Sequence, residues 1–232
     1  DELKSYGACF GVSAGYERPM WFALDGEKAE YEYSYNYQNW YPSVEYETNN
    51  TLTNVGLYDL SPFSKFEIKS KKAHEDLQRI CTSNIKQEPG KCTYTHMLNK
   101  DGGIETDLTV VCIDQNHFRI ISSAATRERD KFHIKKHLSE GVELTDITDD
   151  YCVFGIFGPK SRLLMQDLSS DDFSNENFKF ANSKYIEIDG TKIWTQRLSY
   201  VGELGYELYV KTYESKYIYE KLIEKGKKYN LS

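Results

Sequence analysis

The sequence predicts an α+β fold of mixed or antiparallel sheets with helices packed on them, and three observations carry that expectation. Alternating apolar and polar runs come in pairs joined by tight turns, as in residues 185–188, Asp189-Gly190 and residues 191–194. Other segments space their apolar residues for one face of a helix, as do Ala73, Leu77 and Ile80. The stretch from about residue 55 to 145 reads as strand, helix, three meandering strands and helix, the pattern of one α+β unit.

In chain order, the first 50 residues are dense in aromatics. They run from Tyr6-Gly-Ala-Cys-Phe-Gly11 through Gly15-Tyr-Glu-Arg-Pro-Met-Trp-Phe22 to Asn39-Trp-Tyr-Pro42. No clean period orders them, so they are expected to lie extended and packed against another surface, because that much bare aromatic area is a liability. Residues 65–68 read as a short strand, 71–80 as a helix, 92–98 as a strand, 99–103 as a tight turn and 104–113 as the return strand. After Asp114-Gln-Asn-His117, residues 118–122 read as a strand and 126–138 as a polar helix. The apolar run Tyr151-Cys-Val-Phe-Gly-Ile-Phe157 suits a strand buried on both faces, and Pro159 opens a helix to about residue 168. Beyond the 185–194 hairpin, Gly202 and Gly205 allow a turn into a further alternating run, 206–210. A helix over 214–228, with Ile218, Leu222 and Ile223 on its apolar face, closes the chain.

Composition bounds the function. The 232 residues suffice for one large or two modest domains, and 39% hydrophobic with 14% aromatic residues is a folding composition. A formal net charge of -7 without clustered Lys and Arg argues against nucleic acid as a partner. No window approaches the ~18–20 apolar residues of a membrane span, and Asp1-Glu2 does not open a signal peptide. Cys9, Cys81, Cys92, Cys112 and Cys152 are odd in number and lack a CxxC. They read as buried thiols of a reducing compartment, the cytoplasm or, in a eukaryote, the mitochondrial matrix.

Few residues can carry chemistry. Tyr200, Glu203 and Glu207 fall on or beside the glycine-bounded turn of residues 197–210. A ring and a carboxylate held there can clasp a flat, nitrogen-rich heterocycle, the carboxylate accepting from two ring donors. The alternative is a surface hairpin with solvated glutamates. Glu105, Asp107 and Thr109 alternate onto one strand face. If that face is covered, Asp107 is a buried carboxylate fit for a general base or an anchor for a developing cation; if not, it is an ordinary solvated residue. His133 and His137 stand four apart on a polar helix with no third ligand, so no metal is expected. No Gly-x-Gly-x-x-Gly, phosphate-binding loop or Gly-x-Ser-x-Gly elbow occurs.

Three motifs, Asp101-Gly-Gly-Ile-Glu-Thr-Asp107-Leu-Thr-Val110, Phe154-Gly-Ile-Phe-Gly-Pro-Lys-Ser-Arg162 and Arg197-Leu-Ser-Tyr-Val-Gly-Glu-Leu-Gly-Tyr-Glu-Leu-Tyr209, are similar to the folate-binding aminomethyltransferase family of the glycine-cleavage T-protein. The wording of the third, with Gly15-Tyr-Glu-Arg-Pro-Met-Trp-Phe22, looks more like the C-terminal part of dimethylglycine and sarcosine dehydrogenases and oxidases. The resemblance implies a folate-binding T-protein-like fold without its C-terminal β domain: residues 1–54 plus 146–232 as a first folate-binding subdomain, and 55–145 as an inserted α+β subdomain. It places Asp107 beside the reactive nitrogens of tetrahydrofolate, as the catalytic residue, and Tyr200 and Glu207 on the pterin. Tyr94, Thr109, Ile121 and Tyr209 fall where relatives line the folate site, and Ser122-Ser-Ala124 stands where they usually carry an asparagine.

By the same resemblance, an upstream flavin domain, with FAD, oxidises an N-methyl amine to an iminium, and tetrahydrofolate takes up the one-carbon unit. The chain begins without such a domain and ends where relatives continue, so it reads as a fragment of a longer enzyme or a trimmed relative. Two alternatives stand beside this: a free aminomethyltransferase of glycine cleavage, and a non-catalytic regulatory protein of the same architecture.

Overall fold

The computed structural model describes residues 2–13 and 15–232. The fold is α+β, with antiparallel sheets and packed helices. A short helix α1 (Glu2–Ser5) leads into a hairpin, β1 (Ala8–Ser13) and β2 (Tyr16–Phe22), and then helix α2 (Tyr41–Thr53). A first five-stranded sheet has the order β10-β11-β12-β9-β3, from β3 (Gly56–Asp59), β9 (Tyr151–Phe157), β10 (Ser183–Ile188), β11 (Thr191–Gln196) and β12 (Gly205–Lys211). A second has the order β5-β6-β7-β4-β8, from β4 (Ser64–Lys69), β5 (Cys92–Leu98), β6 (Ile104–Asp114), β7 (His117–Ser122) and β8 (Leu144–Asp146). Helices α3 (Ala73–Ile80) and α4 (Arg127–His137) accompany the second sheet, and α5 (Ser161–Leu168) and α6 (Ser215–Gly226) the first.

Period-two alternation assigns each strand face to a different core. In β12, Tyr206, Leu208 and Val210 face α5 and α6, packing with Leu164, Met165, Ile218 and Leu222. In β6, Leu108, Val110 and Cys112 face α3 and α4, packing with Ala73, Leu77 and Ile134. The opposite faces meet in a third, smaller cluster, where Cys92 and Val111 of the second sheet touch Val153, Trp194 and Tyr209 of the first. The result is a helix–sheet–sheet–helix stack whose inner seam is only partly filled with hydrocarbon.

The 185–194 hairpin turns as expected, with Asp189 at φ 53° and Gly190 at φ 82°, the two positive values that a tight primed turn demands. Residues 151–157 form the strand buried between β12 and β3. Four of the five cysteines are buried, Cys152 is half-buried, and all are free.

The N-terminal expectation needs correction. Strands β1 and β2 pair as a hairpin and residues 41–53 form a helix, while the stretch between β2 and α2 lacks regular structure. Pro42 sits in the first turn of α2, where its missing N–H costs nothing. Its buried residues are polar, Ser43, Asn50 and Thr51, so no apolar stripe announced the helix. Instead Asn50 Nδ2 donates to the carbonyls of Val55 and Asn230, and tertiary hydrogen bonds seat it. Tyr33, Tyr35 and Tyr37, expected to be covered, stand exposed.

Gly205 fixes how the 197–204 loop enters β12. A Cβ there would meet the Phe157 ring and lie 2.9 Å from the backbone oxygen of Leu198, which cannot yield without moving the loop. Gly205→Ala is expected to cost ~2 kcal/mol and lower the melting temperature by about 4–8 °C. An unchanged thermal transition would show that the loop is not pinned at this point.

Candidate functional site: a pocket between the two sheets

Where the inner seam is unfilled it opens into a cavity of about 320 Å³, within the size range of small-molecule sites. Its apolar walls include Leu60, Phe63, Ile121 and Val153, and its polar groups include Asp107, Thr109, Ser122, Gln196, Tyr200, Glu207 and Tyr209. Both sheets therefore build it. β6 and β7 supply Asp107, Thr109, Ile121 and Ser122; β9, β11 and β12 supply Val153, Gln196 and Glu207; and Tyr200 comes from the loop between β11 and β12.

Glu207 is the more buried of the two carboxyl-bearing residues that line the cavity. Its residue is 6% exposed, so the solvated-glutamate reading does not hold for it. Among the described residues its carboxyl makes one hydrogen bond, accepted from the Tyr209 hydroxyl at 2.9 Å, and forms no salt bridge. Burial without a compensating cation pushes it up to about 7, and the Tyr209 bond offsets only part of that. Tyr209 is itself held well above the usual phenol value, by burial first and then by the Glu207 charge, so it stays a donor.

Tyr209 is in turn braced from the other sheet. The Arg119 guanidinium lies 5.7 Å from its ring centroid and 4.8 Å from that of Tyr151. Arg119 Nη2 and Nε donate to one oxygen of Glu67 at 2.8 and 3.2 Å. Burial raises the Glu67 carboxyl, but His117 and Arg119 beside it bring it well below the usual carboxylate range. A line of contacts thus runs Glu67, Arg119, Tyr209, Glu207 across the seam.

Asp107 is exposed at the cavity mouth, which selects the solvated alternative for its side chain. Its Oδ2 accepts from the Tyr94 hydroxyl at 2.9 Å, and that bond is the main reason the Tyr94 phenol is raised. Tyr94 does not line the cavity itself; it reaches the site through Asp107. Tyr200 is 65% exposed, and its phenol is raised by desolvation, then by the Asp107 and Glu207 charges. Glu203 does not line the cavity.

Among the described residues, Gln196 Nε2 and Ser122 Oγ in the cavity wall have no hydrogen-bond partner. Gln196 was not singled out in the sequence: period two puts it on the same strand face as Trp194, but nothing local marks that face as a cavity wall. Arg119 and Glu67 were also missed, because cross-sheet contacts between distant strands leave no local trace.

The family described as GCVT N-terminal domain matches residues 1–232. The chain belongs to that family. It is 36% identical over 208 residues to a 4-methylaminobutanoate oxidase (formaldehyde-forming) of Paenarthrobacter nicotinovorans, a match covering 89% of this chain and 25% of that protein. It is 34% identical over 219 residues to the mitochondrial dimethylglycine dehydrogenase of Rattus norvegicus, covering 93% of this chain and 25% of the relative. The chain thus spans about a quarter of the length of these relatives. Among solved structures, the glycine cleavage system aminomethyltransferase T from Bartonella henselae shares the fold, with a TM-score of 0.78 and 22% identity over 96% of this chain and 55% of that one.

The state of Glu207 gives a signed prediction. Its native carboxyl keeps a proton to about pH 7, while the unfolded one releases it near ~4.3. Its contribution to stability is therefore complete below about pH 4.3 and is lost as pH rises to about 7, by ~3 kcal/mol. Glu207→Gln, which still accepts from Tyr209, is expected to be the more stable protein at pH 8 and no more stable at pH 4. Urea unfolding at both values checks this; equal stability of the two proteins at pH 8 would mean that the carboxyl is not destabilised by burial.

Proposed function

We propose that this chain is the tetrahydrofolate-binding part of a flavin-dependent dehydrogenase that demethylates an N-methyl amine such as dimethylglycine or sarcosine, passing the one-carbon unit to tetrahydrofolate. The observation that carries the reading is Glu207: a buried carboxyl, uncompensated by a cation, in the wall of a cavity of ligand size.

The residues present fit a reduced pterin. Its guanidine-like edge carries adjacent N–H donors, and Glu207 offers the carboxylate that pairs with them, which also supplies the missing compensation for the buried charge. The unpartnered Gln196 and Ser122 atoms are further polar contacts awaiting a ligand. When bound, tetrahydrofolate supplies the nucleophilic nitrogens that take up the one-carbon unit. Glu207 orients the pterin, Tyr209 fixes Glu207, and Tyr200 covers the ring from the loop. Leu60, Phe63, Ile121 and Val153 keep water from the inner wall, and Thr109 completes it. Asp107, steered by Tyr94, holds negative charge at the mouth, where it stabilises a cationic one-carbon donor or takes a proton from the attacking amine.

The proposal includes a flavin domain, with FAD, in the remainder of a longer enzyme; the dehydrogenase and oxidase names of relatives four times this length support it. It also includes the division into residues 1–54 plus 146–232 and 55–145, which the two sheets support apart from β3, a strand of the first sheet. A second reading, a free aminomethyltransferase of glycine cleavage, draws on the shared fold of the T protein. The exposed tyrosines of residues 33–37 favour the first, as a surface a neighbouring domain would cover.

Calorimetric titration with reduced tetrahydrofolate tests the pterin site. Saturable binding is expected, and Glu207→Ala is expected to weaken it at least about tenfold, the loss of a charge-assisted contact. Equal affinity of the two proteins would remove Glu207 from the site.

A further inference from the structure

Gln196 is the last residue of β11 and is 0% exposed, yet it lines the cavity. It stands directly across from Glu207 in the β11–β12 ladder, so the two side chains leave the same face of the sheet with Cβ atoms about 5 Å apart. Its carboxamide nitrogen has no hydrogen-bond partner, while its oxygen lies 3.9 Å from the Cys92 sulfur. The Cys92 thiol is pushed up to about 12 by burial, so it keeps its proton and, of the two ends of the carboxamide, can donate to the oxygen. This leaves the nitrogen end of the carboxamide without an acceptor, on a wall residue that stands directly across from Glu207. An amide donor buried without an acceptor is costly, and folded proteins rarely keep one that nothing completes.

Next to each other on the wall, Gln196 and Glu207 present one donor group and one carboxylate acceptor. The complementary ligand edge has an acceptor followed by two adjacent donors. A 2-amino-4-oxo ring has that order: the ring carbonyl, the adjacent ring N–H and the exocyclic amine. A 2,4-diamino ring does not, because its 4-amino group would set donor against donor at Gln196.

We propose that Gln196 is a specificity residue that reads the 4-oxo group of the bound ring beside Glu207, and that through it the site selects 2-amino-4-oxo pteridines over 2,4-diamino ones. This rests on the pterin reading above, which concerns Glu207, and adds a role for a residue that reading does not require. The discrimination comes from an unmet buried donor, the type of contact that separates ligands differing by one hydrogen-bonding group far better than apolar fit does.

The test is calorimetric titration of the full chain with 2-amino-4-oxo-tetrahydropteridine and with 2,4-diamino-tetrahydropteridine, for the native protein, Gln196→Met and Glu207→Ala, with thermal melting of each. The native protein is expected to prefer the 4-oxo ring by roughly tenfold or more. Gln196→Met is expected to lose about tenfold in affinity for the 4-oxo ring, to leave the diamino ring unchanged or improved, and to melt no lower than the native protein. A merely structural Gln196 would weaken both ligands equally. If Gln196→Met is poorly folded, Gln196→Leu takes its place with the same expectation. An unchanged preference in the folded variant, with Glu207→Ala still weakening both ligands, would overturn the role of Gln196 and leave the pterin site standing. Failure of the native protein to bind either ring would overturn both.

Discussion

The structure depends on one unfavourable placement, a carboxyl buried in the seam between two sheets with no cation to meet it. Glu207 sits in the interior of β12 on the face turned from the α5–α6 core, where its neighbours Tyr206 and Leu208 point the other way into hydrocarbon. Burying a carboxylate without compensation is expensive, and the chain answers by raising its proton affinity and lending it a single phenol hydrogen bond. Such a group is poised to exchange a proton for a ligand's donors, which is a reason to keep it despite its cost to the empty fold.

Holding that group takes both sheets. Tyr209 donates to Glu207 from two residues along the same strand, but its ring is fixed by Arg119 from β7, and Arg119 by Glu67 from β4. Arg119 and Glu67 are a buried ion pair, whose net worth in stability is small but whose geometry is demanding. The cavity mouth has the opposite character: Asp107 and Tyr94 are exposed and their hydrogen bond is shared with solvent. The inner wall is buried and largely apolar, and the mouth is exposed and charged.

Much of this was legible in the sequence because it is local. The Asp189-Gly190 turn, the 92–113 hairpin and the apolar run of β9 each announce themselves by period and by turn chemistry. Glu207 stood out with Tyr200 beside a glycine-bounded turn, and Tyr209 through the resemblance that the third motif carries. What stayed hidden was set by distant contacts. Helix α2 buries Ser43, Asn50 and Thr51 and so lacks an apolar stripe; its seat is made by Asn50 reaching residue 230. For both Glu207 and Asp107 the sequence left a buried and a solvated alternative open, since each lies on a strand that follows a glycine-bearing turn. Only the stacking of the two sheets decides which faces are covered. Gln196 was concealed for the same reason: its partner across the ladder is eleven positions away, and its missing hydrogen bond is a property of the assembled wall.

The central claim is that Glu207 trades its proton for a ligand's donors, and the most direct measurement is the number of protons released on binding. Calorimetric titration with tetrahydrofolate at pH 7, repeated in buffers of different ionisation enthalpy, reads that number. With the carboxyl at about 7, roughly half a proton per bound ligand should be released, and none in Glu207→Gln. Binding of tetrahydrofolate with no proton release in the native protein would contradict the account.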